Sequence, residues 1–247
     1  MRDDDYAAQL ATQAGELLLA LRRQAEADGM DPAQLKKEGD RQSHEFLMRR
    51  LAEDRPDDAV LSEEGADDEA RLTSPRTWIV DPLDGTREFS ELGRTDWAVH
   101  VALARGTELV AGAVALPAQG LTLSTATAPP AARPPIGERP RLVVSRTRPP
   151  AETLLVAERL GCELIEMGSA GAKAMAVVLG AADIYLHGGG QYEWDSAAPV
   201  AVAAAAGLHT SRLDGSPLVY NQRPPYLPDL LICPRELAAD VIAAARG

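Results

Sequence analysis

The stretch Trp78-Ile79-Val80-Asp81-Pro82-Leu83-Asp84-Gly85-Thr86 constrains this chain more than any other. An apolar run of strand character delivers two carboxylates and passes at once into Gly-Thr. Pro82 fixes its own φ and removes a backbone donor, which helps turn the chain so that Asp81, Asp84 and a main-chain carbonyl converge. Hard oxygen ligands of this kind suit Mg²⁺. Gly85 permits close backbone approach, and Thr86 can open a short helix whose N–H groups face an anion. Taken alone, the same residues also describe a solvated Pro-x-Asp-Gly turn. The choice rests on what the rest of the chain supplies.

Ser62-Glu63-Glu64 closes a preceding strand-like run. It is either a solvated patch continuing into Asp67-Asp68-Glu69 or a further source of ligands. Glu193-Trp194-Asp195-Ser196 opens an alanine-rich segment, where Asp195 is either a helix N-cap or a ligand. Three acidic strand ends in one chain favour the metal, because a two-metal phosphatase site needs about that many carboxylates. Asp40, in Lys37-Glu38-Gly39-Asp40, either caps a helix or orients a hydroxyl or water near the metals. Gly168-Ser169-Ala170-Gly171-Ala172-Lys173 places small residues at a helix start, where the backbone can approach a ligand. Lys173 there either reaches a phosphate or is a solvated helix lysine.

The net charge of −12 argues against a nucleic-acid polymer or an anionic membrane as partner, since both select basic patches. A small anionic substrate stays compatible, because bound divalent cations reverse the local field. Residues 1–5 are acidic, no apolar signal segment follows, and no apolar run approaches the ~20 residues that span a bilayer. Cys162 and Cys233 lie far apart in apolar segments and read as buried thiols rather than a disulfide. Together these features lead us to expect a cytoplasmic setting.

With 247 residues the chain forms one large domain or two compact halves. Residues 5–27 read as an amphipathic helix with Tyr6, Leu10, Leu17, Leu18 and Leu21 on one face, interrupted by Asp31-Pro32. A second helix is expected over 40–53, burying Phe46, Leu47 and Leu51. Strands follow at 59–61, 77–81, 97–104, 109–116 and 121–123, a largely antiparallel set. The proline-rich stretch 126–140 lacks apolar periodicity. It separates an N-terminal half, 1–128, carrying most metal ligands, from a C-terminal half, 141–247. The second half alternates strands (142–144, 163–166, 183–186, 230–233) with helices (151–160, 169–179, 196–206, 236–245), which is α/β order.

Gly39-Asp40, Ser62-Glu63-Glu64, Asp81 to Thr86, Gly168-Ser169-Ala170 and Trp194-Asp195-Ser196-Ala197-Ala198 stand in one order and spacing along nearly the whole chain. As a set they resemble the inositol monophosphatase superfamily of Mg²⁺-dependent, lithium-sensitive phosphatases. Asp84-Gly85-Thr86-Arg87-Glu88-Phe89 is similar to the D-G-T-x-E-F form of its CysQ-type 3′-phosphoadenosine 5′-phosphate phosphatases, in particular their actinobacterial branch. Inositol phosphatases usually carry Asn where Glu88 stands. Val144-Ser145-Arg146-Thr147-Arg148 is similar to the V-S-R-S-H segment that approaches the nucleotide, with Arg148 in place of the histidine. Lys173 matches that group's lysine when counted back from Gly180, though it sits one residue further from Gly168 than in many relatives.

The resemblance implies a layered α-β-α-β-α sandwich with the site between the two halves. It implies one Mg²⁺ on Glu63, Asp81 and the Leu83 carbonyl, a second on Asp81, Asp84 and Asp195, and a third, looser ion near Glu63 and Glu64. Thr86, oriented by Asp40, would help deprotonate the attacking water. The substrate would meet Gly85, Thr86, Glu88, Ser145, Arg146, Gly168, Ser169, Lys173 and Tyr192. The implied reaction removes the 3′-phosphate of adenosine 3′,5′-bisphosphate, with the sulfated form as a second substrate and inhibition by Li⁺. The alternative is a phosphatase for inositol 1-phosphate or fructose 1,6-bisphosphate. A non-catalytic, nucleotide-sensing relative is disfavoured, since every expected carboxylate is present. Homodimers are frequent in the family, and nothing in the sequence marks an interface.

Overall fold

A computed structural model describes residues 1–128 and 135–246. Helix α1 (Asp3–Asp28) opens on three aspartates, which complement the positive end of its dipole. Helix α2 (Pro32–Asp54) begins at Pro32 rather than at Asp40. The Asp31 carboxylate accepts from the N–H groups of Ala33 at 2.8 Å and Gln34 at 3.3 Å. Asp31-Pro32, read as an interruption, is therefore also a start signal, with an N-cap aspartate and proline where no donor is needed. Asp40 lies inside α2 and caps nothing.

The first sheet contains β1 (Ala59–Ser62), β2 (Thr77–Asp84), β3 (Ala98–Arg105), β4 (Glu108–Leu116) and β5 (Leu121–Ser124), neighbours in that order. Only β1 and β2 run parallel. β2 continues past Asp81 to Asp84 before the short helix α3 (Thr86–Ser90). Its register against β3 shifts between those two aspartates, where Pro82 cannot donate to the ladder. Every residue of β2 is buried.

The second sheet contains β6 (Arg141–Ser145), β7 (Glu163–Met167), β8 (Ile184–His187), β10 (His209–Ser211) and β12 (Leu230–Cys233). Its order is β10-β12-β8-β6-β7, with β6 parallel to β7 and β8. The two-residue strands β9 (Gln191–Tyr192) and β11 (Tyr226–Leu227) pair as a ribbon. These pieces and β10 are too short to show periodicity. The helices between the strands are α4 (Ala151–Leu160), α5 (Ala170–Val178), α6 (Glu193–Ala205) and α7 (Arg235–Arg246).

Five layers result: α1 and α2, the first sheet, α5 and α6, the second sheet, then α4 and α7. This is the α-β-α-β-α sandwich. Buried side chains of both sheets, such as Ile79, Val114, Val143 and Ile232, meet Met175 and Val202 of the middle helices in one core. Each fully buried Ile, Val or Met there contributes on the order of 2 kcal/mol. The alanines of α6 let it lie close to the strands it covers. It starts at Glu193, so Asp195 is not an N-cap but sits in the first turn, accepting the Tyr192 N–H at 2.7 Å.

Of the expected boundary 126–140, residues 129–134 lie outside the described residues. Neither cysteine is in a disulfide, and both are buried. Among the described residues no helix is long and apolar enough to cross a membrane.

Candidate active site

Close packing of α2 on the end of β2 builds one wall. At Gly39 an added Cβ would fall 2.7 Å from Phe89 and 2.8 Å from Leu83, so any larger residue must push these buried side chains aside. One turn later the fully buried Ser43 hydroxyl donates to the Pro82 carbonyl at 2.7 Å. Between them Asp40 meets Thr86, whose hydroxyl stands 3.3 Å from Asp40 Oδ1 and 3.2 Å from the Leu83 carbonyl. One hydroxyl hydrogen serves one of these acceptors at a time. Burial first, and Glu64 second, push Asp40 up to about 6.

Carboxylate oxygens of Asp81, Asp84 and Asp195 lie within 4.8 Å of one another. The three arrive from the end of β2 and the first turn of α6, which the sheet and the middle layer bring together. Asp81 is 1% exposed and is raised well above the usual carboxylate range by burial, then by Glu63, Asp84 and Asp195. Asp195 is pushed up to about 6, chiefly by burial. Glu63, at the end of β1, is open to solvent overall. Its carboxyl nevertheless lies against Asp81 and is raised to about 7 by burial and by Asp195. Glu64 beside it is exposed. The donor set fits a divalent cation: all its atoms are hard oxygens, and it crowds like charges that a cation would relieve.

Asp84 has different company. Ala170 N–H donates to its Oδ1 at 3.0 Å and Gly171 N–H to its Oδ2 at 2.6 Å, with the Ser169 hydroxyl on the same oxygen. His100 Nε2 stands 3.1 Å from Oδ2. Burial works against its charge, but His100, Ser169 and Lys173 outweigh it and hold Asp84 below the usual carboxylate range. The backbone at Gly168–Gly171 thus points its donors at protein carboxylates, with Gly168 N–H on Asp96 at 2.6 Å. Lys173 is buried, and its Nζ donates to the carbonyls of Gly168 at 3.0 Å and Ser169 at 2.7 Å.

Two clefts flank this cluster. One of about 670 Å³ is lined by Asp84, Asp195, Ser145, Lys173, Tyr185 and the glycines 188–190. The other, of about 360 Å³, is lined by Gly85, Thr86, Glu88, Arg146, Gly168 and Lys173. Arg146 bridges Glu88 at 2.7 Å and Glu91 at 2.6 Å, tying the strand end of β6 to α3. Ser145 accepts the Arg148 N–H at 3.2 Å. Tyr192 is exposed and stacked on Trp194, centroids 4.7 Å apart. A third cavity, among Thr107, Val110, Ala204 and Val219, holds none of these carboxylates.

Sequence reasoning missed His100. It is fully buried on β3 opposite Asp81, and its Nδ1 lies 3.0 Å from the Trp194 carbonyl, next to Asp195. It thereby touches both segments that supply the aspartates. The available signal was a single histidine in the otherwise apolar run 97–104.

The sequence profile of the inositol monophosphatase family matches residues 2–246. A 3′-phosphoadenosine 5′-phosphate phosphatase of Mycobacterium tuberculosis is 54% identical over 94% of this chain and 88% of its own. The 3′(2′),5′-bisphosphate nucleotidase CysQ of Escherichia coli is 31% identical, covering 90% of this chain and 96% of its own. The crystal structure of inositol monophosphatase II from Staphylococcus aureus superposes with a TM-score of 0.80 at 20% identity, covering 96% and 94% of the two chains. On this profile match, and on a fold that superposes across nearly its full length, the chain belongs to the inositol monophosphatase family.

Proposed function

We propose that the protein is a Mg²⁺-dependent phosphomonoesterase that removes the 3′-phosphate of adenosine 3′,5′-bisphosphate, releasing AMP, and that also accepts the 5′-phosphosulfate form. The observation that carries the chemistry is the convergence of Asp81, Asp84 and Asp195 within 4.8 Å. Support for the nucleotide comes from relatives of that name at 54% identity over nearly the whole chain. Asp81, Asp84, Asp195, Glu63 and the Leu83 carbonyl would hold two ions, with Glu63 and Glu64 beside a looser third. Bound there, Mg²⁺ would acidify water and neutralise charge developing on the phosphoryl and leaving oxygens.

The chain itself supplies the proton path. Thr86 Oγ1 takes a proton from water as its own passes to Asp40 Oδ1, 3.3 Å away. Asp40, raised to about 6, is matched to accept it near neutral pH. No covalent phosphoenzyme is required, so the site needs no cysteine or histidine nucleophile. Glu88 and Arg146 fix the wall of the smaller cleft, and the stacked Tyr192 and Trp194 offer a planar base a surface at the rim. We assign most metal ligands to the half 1–128, and Asp195 with further substrate-binding residues to the half 141–247. Sensitivity to Li⁺ and a cytoplasmic setting complete the reading; two buried cysteines outside any disulfide favour the latter.

Comparison of kcat/KM for adenosine 3′,5′-bisphosphate, inositol 1-phosphate and fructose 1,6-bisphosphate under Mg²⁺ tests the substrate. The nucleotide is expected to be clearly the best. Equal or better turnover of inositol 1-phosphate would sink the nucleotide assignment while leaving the phosphatase chemistry in place.

A further inference from the structure

Most arginines among the described residues are answered by an oxygen. Arg41, Arg50, Arg71, Arg76, Arg141 and Arg212 each pair with a carboxylate. Among the described residues Arg23, Arg49, Arg87 and Arg148 differ, and of these Arg87 and Arg148 stand at the candidate site. Both are exposed, and among the described residues neither side chain makes a hydrogen bond or ion pair. Both line the cleft of about 360 Å³, and so does Lys36, which lies one turn ahead of Asp40 on α2 and is likewise unbonded.

The other cations of that cleft are already engaged. Arg146 is held by Glu88 and Glu91, and Lys173 by the carbonyls of Gly168 and Ser169. Two carboxylates face the free trio, Glu91 toward Arg87 and Asp40 toward Lys36. Each is itself occupied, by Arg146 and by Thr86. In a chain of net charge −12, three unanswered cations from three separate segments at one cleft mark a place for an anion.

We infer that Lys36, Arg87 and Arg148 form a subsite for the second, non-reacting phosphate of a bisphosphate substrate. This rests on the phosphatase reading above and narrows it. The reacting phosphate belongs where the two clefts meet, between Asp84 and Asp195, which line the larger one, and Thr86 at the edge of this one. Ser145, Thr147, Arg148, Ser169 and Lys173 line both, so one ligand can reach from the carboxylates to the cations. Guanidinium groups suit the distal group, since their fork matches two phosphate oxygens at once. A substrate with a single phosphate leaves this subsite empty.

The test compares adenosine 3′,5′-bisphosphate with adenosine 3′-monophosphate on the wild type, Arg87→Ala and Arg148→Ala. Arg87 and Arg148 are exposed and unbonded, and melting curves of each variant verify the fold. Loss of a charge-assisted bond predicts that the ratio of kcat/KM between the two substrates falls about tenfold or more per residue, mainly through KM for the bisphosphate. Equal losses on both substrates, or no loss on the bisphosphate, overturn the subsite. Should the wild type fail to hydrolyse the bisphosphate, the phosphatase reading is at fault, and calorimetry with AMP and adenosine reads the subsite without turnover. There a fall in AMP affinity in Arg148→Ala, larger than any for adenosine, supports the assignment. Equal changes for the two ligands overturn it.

Discussion

Asp81 and Asp84 leave one strand end into opposite surroundings. Asp81 enters a corner built from Glu63 and Asp195, where burial and like charge make the protonated carboxyl the comfortable form. Asp84 enters a corner built from His100, Lys173 and the first turn of α5, where donors and positive charge hold the anion. The register shift at Pro82 separates the two neighbourhoods within a single turn of chain. A cation bound there would displace protons at the first corner and compete with hydrogen bonds at the second. Acidic residues in one cluster are not interchangeable ligands.

Asp84→Asn removes the charge that the second corner is built to hold. Turnover should fall by about a thousandfold or more, as expected when several kcal/mol of electrostatic stabilisation disappears. Circular dichroism should still show the folded protein, because the amide oxygen keeps one of the two bonds from α5 while its NH2 faces the other donor. Retained Mg²⁺-dependent phosphate release would refute the assignment. His100→Gln weakens the same corner indirectly. A residue that orients a ligand from behind typically contributes ten- to a hundredfold in metal affinity, so the Mg²⁺ titration midpoint should rise by about that factor. An unchanged midpoint would reduce His100 to packing.

The smallest effect concerns the first corner. Asp195 at about 6 and Glu63 at about 7 lie above the ordinary carboxylate values of about 4. Without cation the folded state then binds more protons than the unfolded chain between about pH 4 and pH 7, so stability falls as pH rises through that window. The melting temperature without Mg²⁺ should be lower at pH 8 than at pH 5, and added Mg²⁺ should raise it more at pH 8. Glu63→Gln should flatten the pH slope. A slope unaffected by that substitution would break the contrast.

The acidic strand ends that converge were legible because carboxylates following apolar runs stand out locally. Their helical context was not. Asp40 and Asp195 carry the letters of caps, but α2 starts at Asp31-Pro32 and α6 at Glu193, which makes one an interior residue and the other a first-turn residue. His100 acquires meaning only through cross-strand pairing with Asp81. Lys173 looked free to reach a phosphate, yet its chain folds back on the carbonyls at the start of its own helix. The layer order came from the family resemblance rather than from periodicity, although the all-round apolarity of α5 was a hint that it lies between two surfaces.

That middle layer limits how the protein can be rebuilt. A fragment ending at residue 128 would keep Glu63, Asp81 and Asp84 but bare Ile79, Ala102 and Val114 to water, a surface prone to self-association. Grafting the second half of a relative to alter substrate choice must therefore bring α5 and α6 with side chains shaped for the recipient's first sheet. Interchange of halves becomes a packing problem before it becomes a specificity problem.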